Sequence, residues 1–163
     1  MPVFISYRHT DRDQAIEINS RLKKANINTY LDVLDAESQS TEDITAVITR
    51  NITQCTHLLA VVSERTALSW WVPFEIGEAT ISNRRICSFK TGGTELPEYL
   101  EKWPKMTKAT DIDLFIESYK SELNSERSIS LESITGSESL HKTNKSNADK
   151  FHSELKTKIR RGY

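Results

Sequence analysis

Apolar and polar positions fall in blocks along the first 90 residues, and the blocks switch between two periods. Val3-Phe4-Ile5-Ser6-Tyr7 is a short, β-prone apolar run that stops at the polar stretch Arg8-His9-Thr10-Asp11. From Asp13 the spacing becomes helical, with Ile18, Leu22 and Ala25 on one face. Asn26 stands where a helix C-terminus takes Gly or Asn. Asn28-Thr29-Tyr30-Leu31-Asp32 predicts a second strand, followed by a polar loop over 33–39. Ser40 and Asp43 resemble a helix-capping pair, and Ile44, Val47, Ile48, Ile52 and Cys55 continue that helix on one face. His57-Leu58-Leu59-Ala60-Val61-Val62-Ser63 is nearly all apolar, the pattern of a central parallel strand buried on both sides. Pro73 is tolerated only near a helix start, so the next helix begins around 69–72. Arg85-Ile86-Cys87-Ser88-Phe89 predicts a fourth strand, closed by Gly92-Gly93. Beyond it come a short helix near Leu96–Leu100, a weak fifth strand within 103–107 and a longer helix through Ile112–Ile116.

This alternation predicts a doubly wound α/β fold with a mostly parallel sheet and helices on both faces. The character changes near Asn124. The expected organisation is a domain over 1–123, a Ser-, Glu-, Asn- and Lys-rich polar loop or disordered insert over 124–147, and an amphipathic helix over 148–163. Phe151, Leu155 and Ile159 form a stripe on that helix, which can dock on the core or bind a partner.

Length and charge narrow the classes. A chain of 163 residues can bury a real core as one domain. A net charge of -1 gives no electrostatic case for nucleic acid or an acidic membrane. No apolar run approaches the roughly 20 residues of a membrane span, and no secretory signal is expected from the N-terminus. Cys55 and Cys87 lack metal-type spacing and read as reduced core thiols. A cytoplasmic protein with no metal site is the simplest expectation.

In open α/β sheets, ligands sit at the carboxyl ends of the strands. That rim receives Tyr7, Arg8 and His9 after strand one, Asp32 and Asp35 after strand two, and Ser63 after strand three. Trp71 and Glu75 follow on the next helix, at i and i+4, on one helix face. A flat apolar wall beside one negative charge suits a substrate that develops positive charge on a sugar. Plainer roles stand beside these. Trp71 and Tyr7 can be core, Glu75, Arg8 and His9 solvated, Asp35 and Glu37 exposed, and Asp32 and Ser63 turn or cap groups.

In combination, Phe4-Ile5-Ser6-Tyr7-Arg8 with Asp11, Thr29-Tyr30-Leu31-Asp32, the apolar strand ending in Ser63, and Ser69-Trp70-Trp71 with Glu75 resemble a TIR (Toll/interleukin-1 receptor) domain over roughly 1–120. Leu96-Pro97-Glu98-Tyr99-Leu100-Glu101-Lys102-Trp103-Pro104 resembles the distal part of bacterial members. The resemblance implies a flavodoxin-like sheet of about five parallel strands. It also implies cleavage of NAD+ at the nicotinamide–ribose bond, in some members with cyclisation of the ADP-ribose. Glu75 would be catalytic, with Tyr7, Arg8, Ser63 and Trp71 at the substrate. NAD+ is then a substrate, and no cofactor is implied. A standalone bacterial-type chain further resembles Thoeris-type anti-phage proteins, in which a separate effector senses the product. The sequence departs from the family at Val72, where Cys is common, and at Asp35-Ala36-Glu37-Ser38, which lacks the usual Gly. Two other classes stay open: a non-catalytic adaptor working by TIR–TIR self-association through 33–40 and exposed helix faces, and an enzyme like nucleoside deoxyribosyltransferases, with a glutamate nucleophile. A response-regulator receiver would need acidic residues where Tyr7-Arg8 and Ser63 stand.

Overall fold

A computed structural model describes residues 1–31, 43–93, 95–129 and 137–163, without the side chains of 127–129 and 137–143. Five strands carry the sheet: β1 (Val3–Ser6), β2 (Thr29–Leu31), β3 (His57–Val62), β4 (Arg85–Lys90) and β5 (Lys105–Met106). All four pairings are parallel, in the order β2-β1-β3-β4-β5. The helices are α1 (Arg12–Lys24), α2 (Ile44–Gln54), α3 (Trp71–Ile81), α4 (Ala109–Ile129) and α5 (Ser137–Arg161). The flavodoxin-like, all-parallel architecture matches the expectation from the alternating blocks.

The apolar run of β3 is buried along its whole length because the sheet is covered on both faces. Side chains alternate across the sheet. Val3, Ile5, Leu59 and Val61 pack with α1, α4 and α5, whereas Phe4, Leu58, Ala60 and Val62 pack with α2 and α3. Two asparagines end helices in the left-handed region, Asn26 at φ 61° and Asn83 at φ 51°. In each case the next amide reaches back five residues, Ile27 N–H to Leu22 O at 3.0 Å and Arg84 N–H to Ala79 O at 2.9 Å. These closures satisfy carbonyls that a helix end would otherwise leave bare.

Helix α2 begins later than its capping pair predicts. Asp43 is itself the N-cap and accepts from the Thr45 amide at 3.0 Å. Ser40, like Asp32, Asp35 and the rest of the loop at 33–40, lies outside the described residues.

The polar stretch at 124–147 differs from expectation. Its described parts are helical: α4 runs on to Ile129 and α5 starts at Ser137. Solvated composition does not forbid a helix when one face has tertiary partners. On α4, Glu122 and Glu126 reach Arg85 of β4 at 2.5 and 3.2 Å. On α5, Phe151 and Leu155 are buried in the α1-side core and Ile159 packs against it. The C-terminal helix therefore docks on the domain.

Candidate functional site

Glu75 comes from the second turn of α3, and its surroundings follow from how that helix starts. Ser69 Oγ accepts from the Val72 amide at 3.3 Å, and Pro73 sits in the first turn, where its missing N–H costs nothing. Val72, Ile76 and Ala79 face the sheet, which turns Glu75 inward with them. Its side chain is 0% exposed. Burying a carboxylate is costly unless polar groups meet it. Ser6, the last residue of β1, donates its hydroxyl to Glu75 Oε2. Ser6 is equally buried, on the same side of β1 as Phe4, which packs toward α2 and α3. The carboxyl group is thereby fixed at the carboxyl end of the sheet.

Trp71, one turn before Glu75, is half-buried and meets Phe74 edge-on, with ring centroids 6.0 Å apart. Its neighbour Trp70 is 91% exposed. Arg8 leaves β1 and donates from Nη1 to the Arg65 carbonyl at 2.6 Å, tying the loop after β1 to the turn after β3. Ser63 caps that 3₁₀ turn, Glu64–Leu68. Its Oγ accepts from the Arg65 amide at 3.2 Å and donates to Asp11 Oδ2 at 2.9 Å. Tyr7 is 7% exposed and belongs to the apolar cluster on the α1 side of the sheet, away from α3.

The sequence-derived set is thus split. Glu75 and Trp71 share α3. Arg8 and Ser63 meet around Arg65. Tyr7 packs on the other sheet face. Sequence reasoning missed Ser6, whose signal is its even position in β1, in step with Phe4 and facing α3. It also missed a cleft of about 350 Å³ bounded by Asp11, residues 63–65 and residues 91–93.

At the opposite edge of the sheet lies a second buried polar cluster. Arg85, 3% exposed, donates from Nε to Glu122 at 2.7 Å. His57 is ringed by Phe115, Tyr119 and Phe151. Its Nε2 stands 3.2 Å from Glu122 Oε2, an electrostatic contact outside hydrogen-bond geometry. Burial lowers the His57 pKa, so the ring is held neutral. Glu122 is shifted below the usual carboxylate range: burial opposes the shift, but the Arg85 guanidinium bonded to it favours the charged form. The amide of Ile86 donates to His152 Nε2 at 2.8 Å, which requires an unprotonated nitrogen there. Burial takes this imidazole down to about 4.

Among the described residues, no group of three or more His, Cys, Asp or Glu side chains is placed to hold a metal ion. No described helix is long and apolar enough to cross a membrane.

With this geometry in view, the family is plain. The model of the TIR domain family matches residues 3–125, and the chain belongs to that family. No curated protein matches it in sequence. Among solved structures, it is similar to the TIR domain of the Toll-related receptor TRR-2 from Hydra magnipapillata, with TM-score 0.56 and 17% identity, covering 77% of this chain and 97% of that one. It is also similar to the 2-deoxyribosyltransferase of Bacillus psychrosaccharolyticus, with TM-score 0.55 and 8% identity, covering 69% and 90%. The TIR domains of the activated Roq1 resistosome, which directly recognises the pathogen effector XopQ, give TM-score 0.50 and 14% identity over 99% of both chains. At such identities the likeness establishes the fold.

Proposed function

We propose that this TIR domain cleaves the nicotinamide–ribose bond of NAD+, with Glu75 as the catalytic residue. The observation that carries this reading is a fully buried carboxyl group fixed by a strand-end hydroxyl at the carboxyl edge of a parallel sheet. Nicotinamide on ribose is a pyridinium. When the C1′–N bond breaks, the base leaves with the bonding pair as a neutral molecule, so no acid is required. The difficulty is positive charge on C1′, an oxocarbenium-like state. A fixed Glu75 carboxylate stabilises that charge more than the ground state. Trp71 offers an aromatic face for the base. Arg8, with donors to spare beyond its bond to Arg65, can take a phosphate. Water then bonds to C1′ and releases a proton, giving ADP-ribose; an internal nucleophile gives a cyclic product. NAD+ serves as substrate, and the cytoplasm is the proposed place of work. A cyclic product would suit anti-phage signalling through a separate effector protein.

A non-catalytic adaptor is the second reading. Leu68 and Trp70, 72% and 91% exposed beside the α3 start, favour it as a self-association surface. Incubation with NAD+, followed by mass spectrometry of the products for native protein and Glu75→Gln, separates the two. The enzymatic reading expects nicotinamide release that the substitution abolishes. Release that persists undiminished in Glu75→Gln removes Glu75 from the chemistry. Base exchange on deoxynucleosides without NAD+ loss would point instead to transferase chemistry.

A further inference from the structure

We propose that the cleft between Asp11, residues 63–65 and residues 91–93 seats the adenosine diphosphate half of the dinucleotide, leaving the nicotinamide end to Glu75. The inference rests on NAD+ being the substrate.

Topology supplies the first support. The strand order β2-β1-β3-β4-β5 reverses direction of growth between β1 and β3. In open parallel sheets the crevice at that switch point, at the carboxyl ends, is where ligands bind. This cleft is walled by the segments leaving β1, β3 and β4, and its volume of about 350 Å³ suits part of a nucleotide.

The walls carry matching chemistry. Asp11 Oδ2 accepts from Ser63, and Oδ1 can accept from a ribose hydroxyl. Arg65 brings a permanent cation for a pyrophosphate. Opposite them, Gly92 holds φ +77° and a Cβ added at Gly93 would meet no atom within 4 Å. Backbone without side chains lets a ligand come close.

Connectivity supplies the last support. Ser6, which holds Glu75, and Arg8, which grips the Arg65 carbonyl on the cleft wall, are two residues apart. Two extended residues span about 7 Å. The two stations therefore share one rim within the reach of a dinucleotide.

ADP-ribose, which lacks the nicotinamide, is the probe. It is titrated calorimetrically into the whole native chain, Gly93→Leu and Asp11→Asn. The native protein should bind it. Gly93→Leu, whose side chain enters open space, and Asp11→Asn should each bind about tenfold more weakly or worse, with KM for NAD+ rising while kcat holds. Unchanged affinity in Gly93→Leu, or no ADP-ribose binding to the native chain, overturns the cleft. Cleft-dependent ADP-ribose binding without NAD+ turnover would sink the catalytic reading and keep the cleft. Turnover with a KM indifferent to Gly93→Leu would do the reverse.

Discussion

Each edge of this sheet holds a glutamate, partly buried at one and fully buried at the other, and the two have different partners. At the amino edge, Glu122 is matched by the Arg85 guanidinium and lies against His57, so charge is answered by charge. At the carboxyl edge, Glu75 takes a hydroxyl from Ser6. A hydroxyl donor orients the carboxyl group. The comparison separates two arrangements: the first anchors α4 to β4 through charge, and the second fixes a buried carboxyl group beside the strand ends.

The sharpest way to break the comparison is at the amino edge. Arg85→Met leaves the partly buried Glu122 without its guanidinium, and unfolding free energy should drop by about 3 kcal/mol. Urea denaturation followed by circular dichroism measures it; a loss under about 1 kcal/mol would show that the cluster is incidental. Next comes Glu75→Gln, nearly isosteric, for which NAD+ cleavage should fall by about 10²–10³ while the thermal midpoint stays put. A collapse in stability with this substitution would move Glu75 into the structural class of Glu122.

Ser6→Ala is smaller. It removes one hydrogen bond to a carboxyl group, so kcat should fall by about tenfold or somewhat more. If Ser6 acts by positioning Glu75, the pH profile of kcat should shift as well, and Ser6→Thr should recover part of the rate. A profile that stays in place would reduce Ser6 to packing.

The smallest effect concerns pH. The folded His152 value, about 4, lies below the ordinary 6.5, so the unfolded chain takes up the proton first. This contribution to stability is complete above about pH 6.5 and shrinks as pH falls toward 4; His57 acts in the same sense. Glu122, lowered from 4.5, contributes fully above that value and loses its part only in stronger acid. His152→Gln keeps an acceptor for the Ile86 amide and should flatten the decline between pH 6.5 and 4.5 by up to about 1.4 kcal/mol per pH unit. An unaltered slope would assign the acid sensitivity elsewhere.

Much of this architecture is legible without coordinates, for reasons that differ by residue. The β3 run admits few readings because continuous burial in an alternating chain requires a central strand. Pro73 places the α3 start because the ring tolerates few sites. Glu75 stands out because Trp71 sits one turn away. Ser6 is hard to read because its even position in a four-residue strand names a sheet face but not a partner; the partner exists only once α3 crosses behind β1. Tyr7 is ambiguous at a strand end, where one step of pleat decides the face, and it packs on the α1 side. The reach of α4 and α5 is hidden by polar composition, since what stabilises them is the distant Arg85 and a sparse stripe of Phe151 and Leu155.

That stripe bears on how the protein can be dissected. The family match stops at residue 125, yet Phe151 and Leu155 fill the same apolar interior as Val3 and Ile5. Trimming the chain at the homology boundary would excise interior side chains and strip the β4 amide of its imidazole acceptor. The smallest unit to transplant into a chimaera therefore extends through α5.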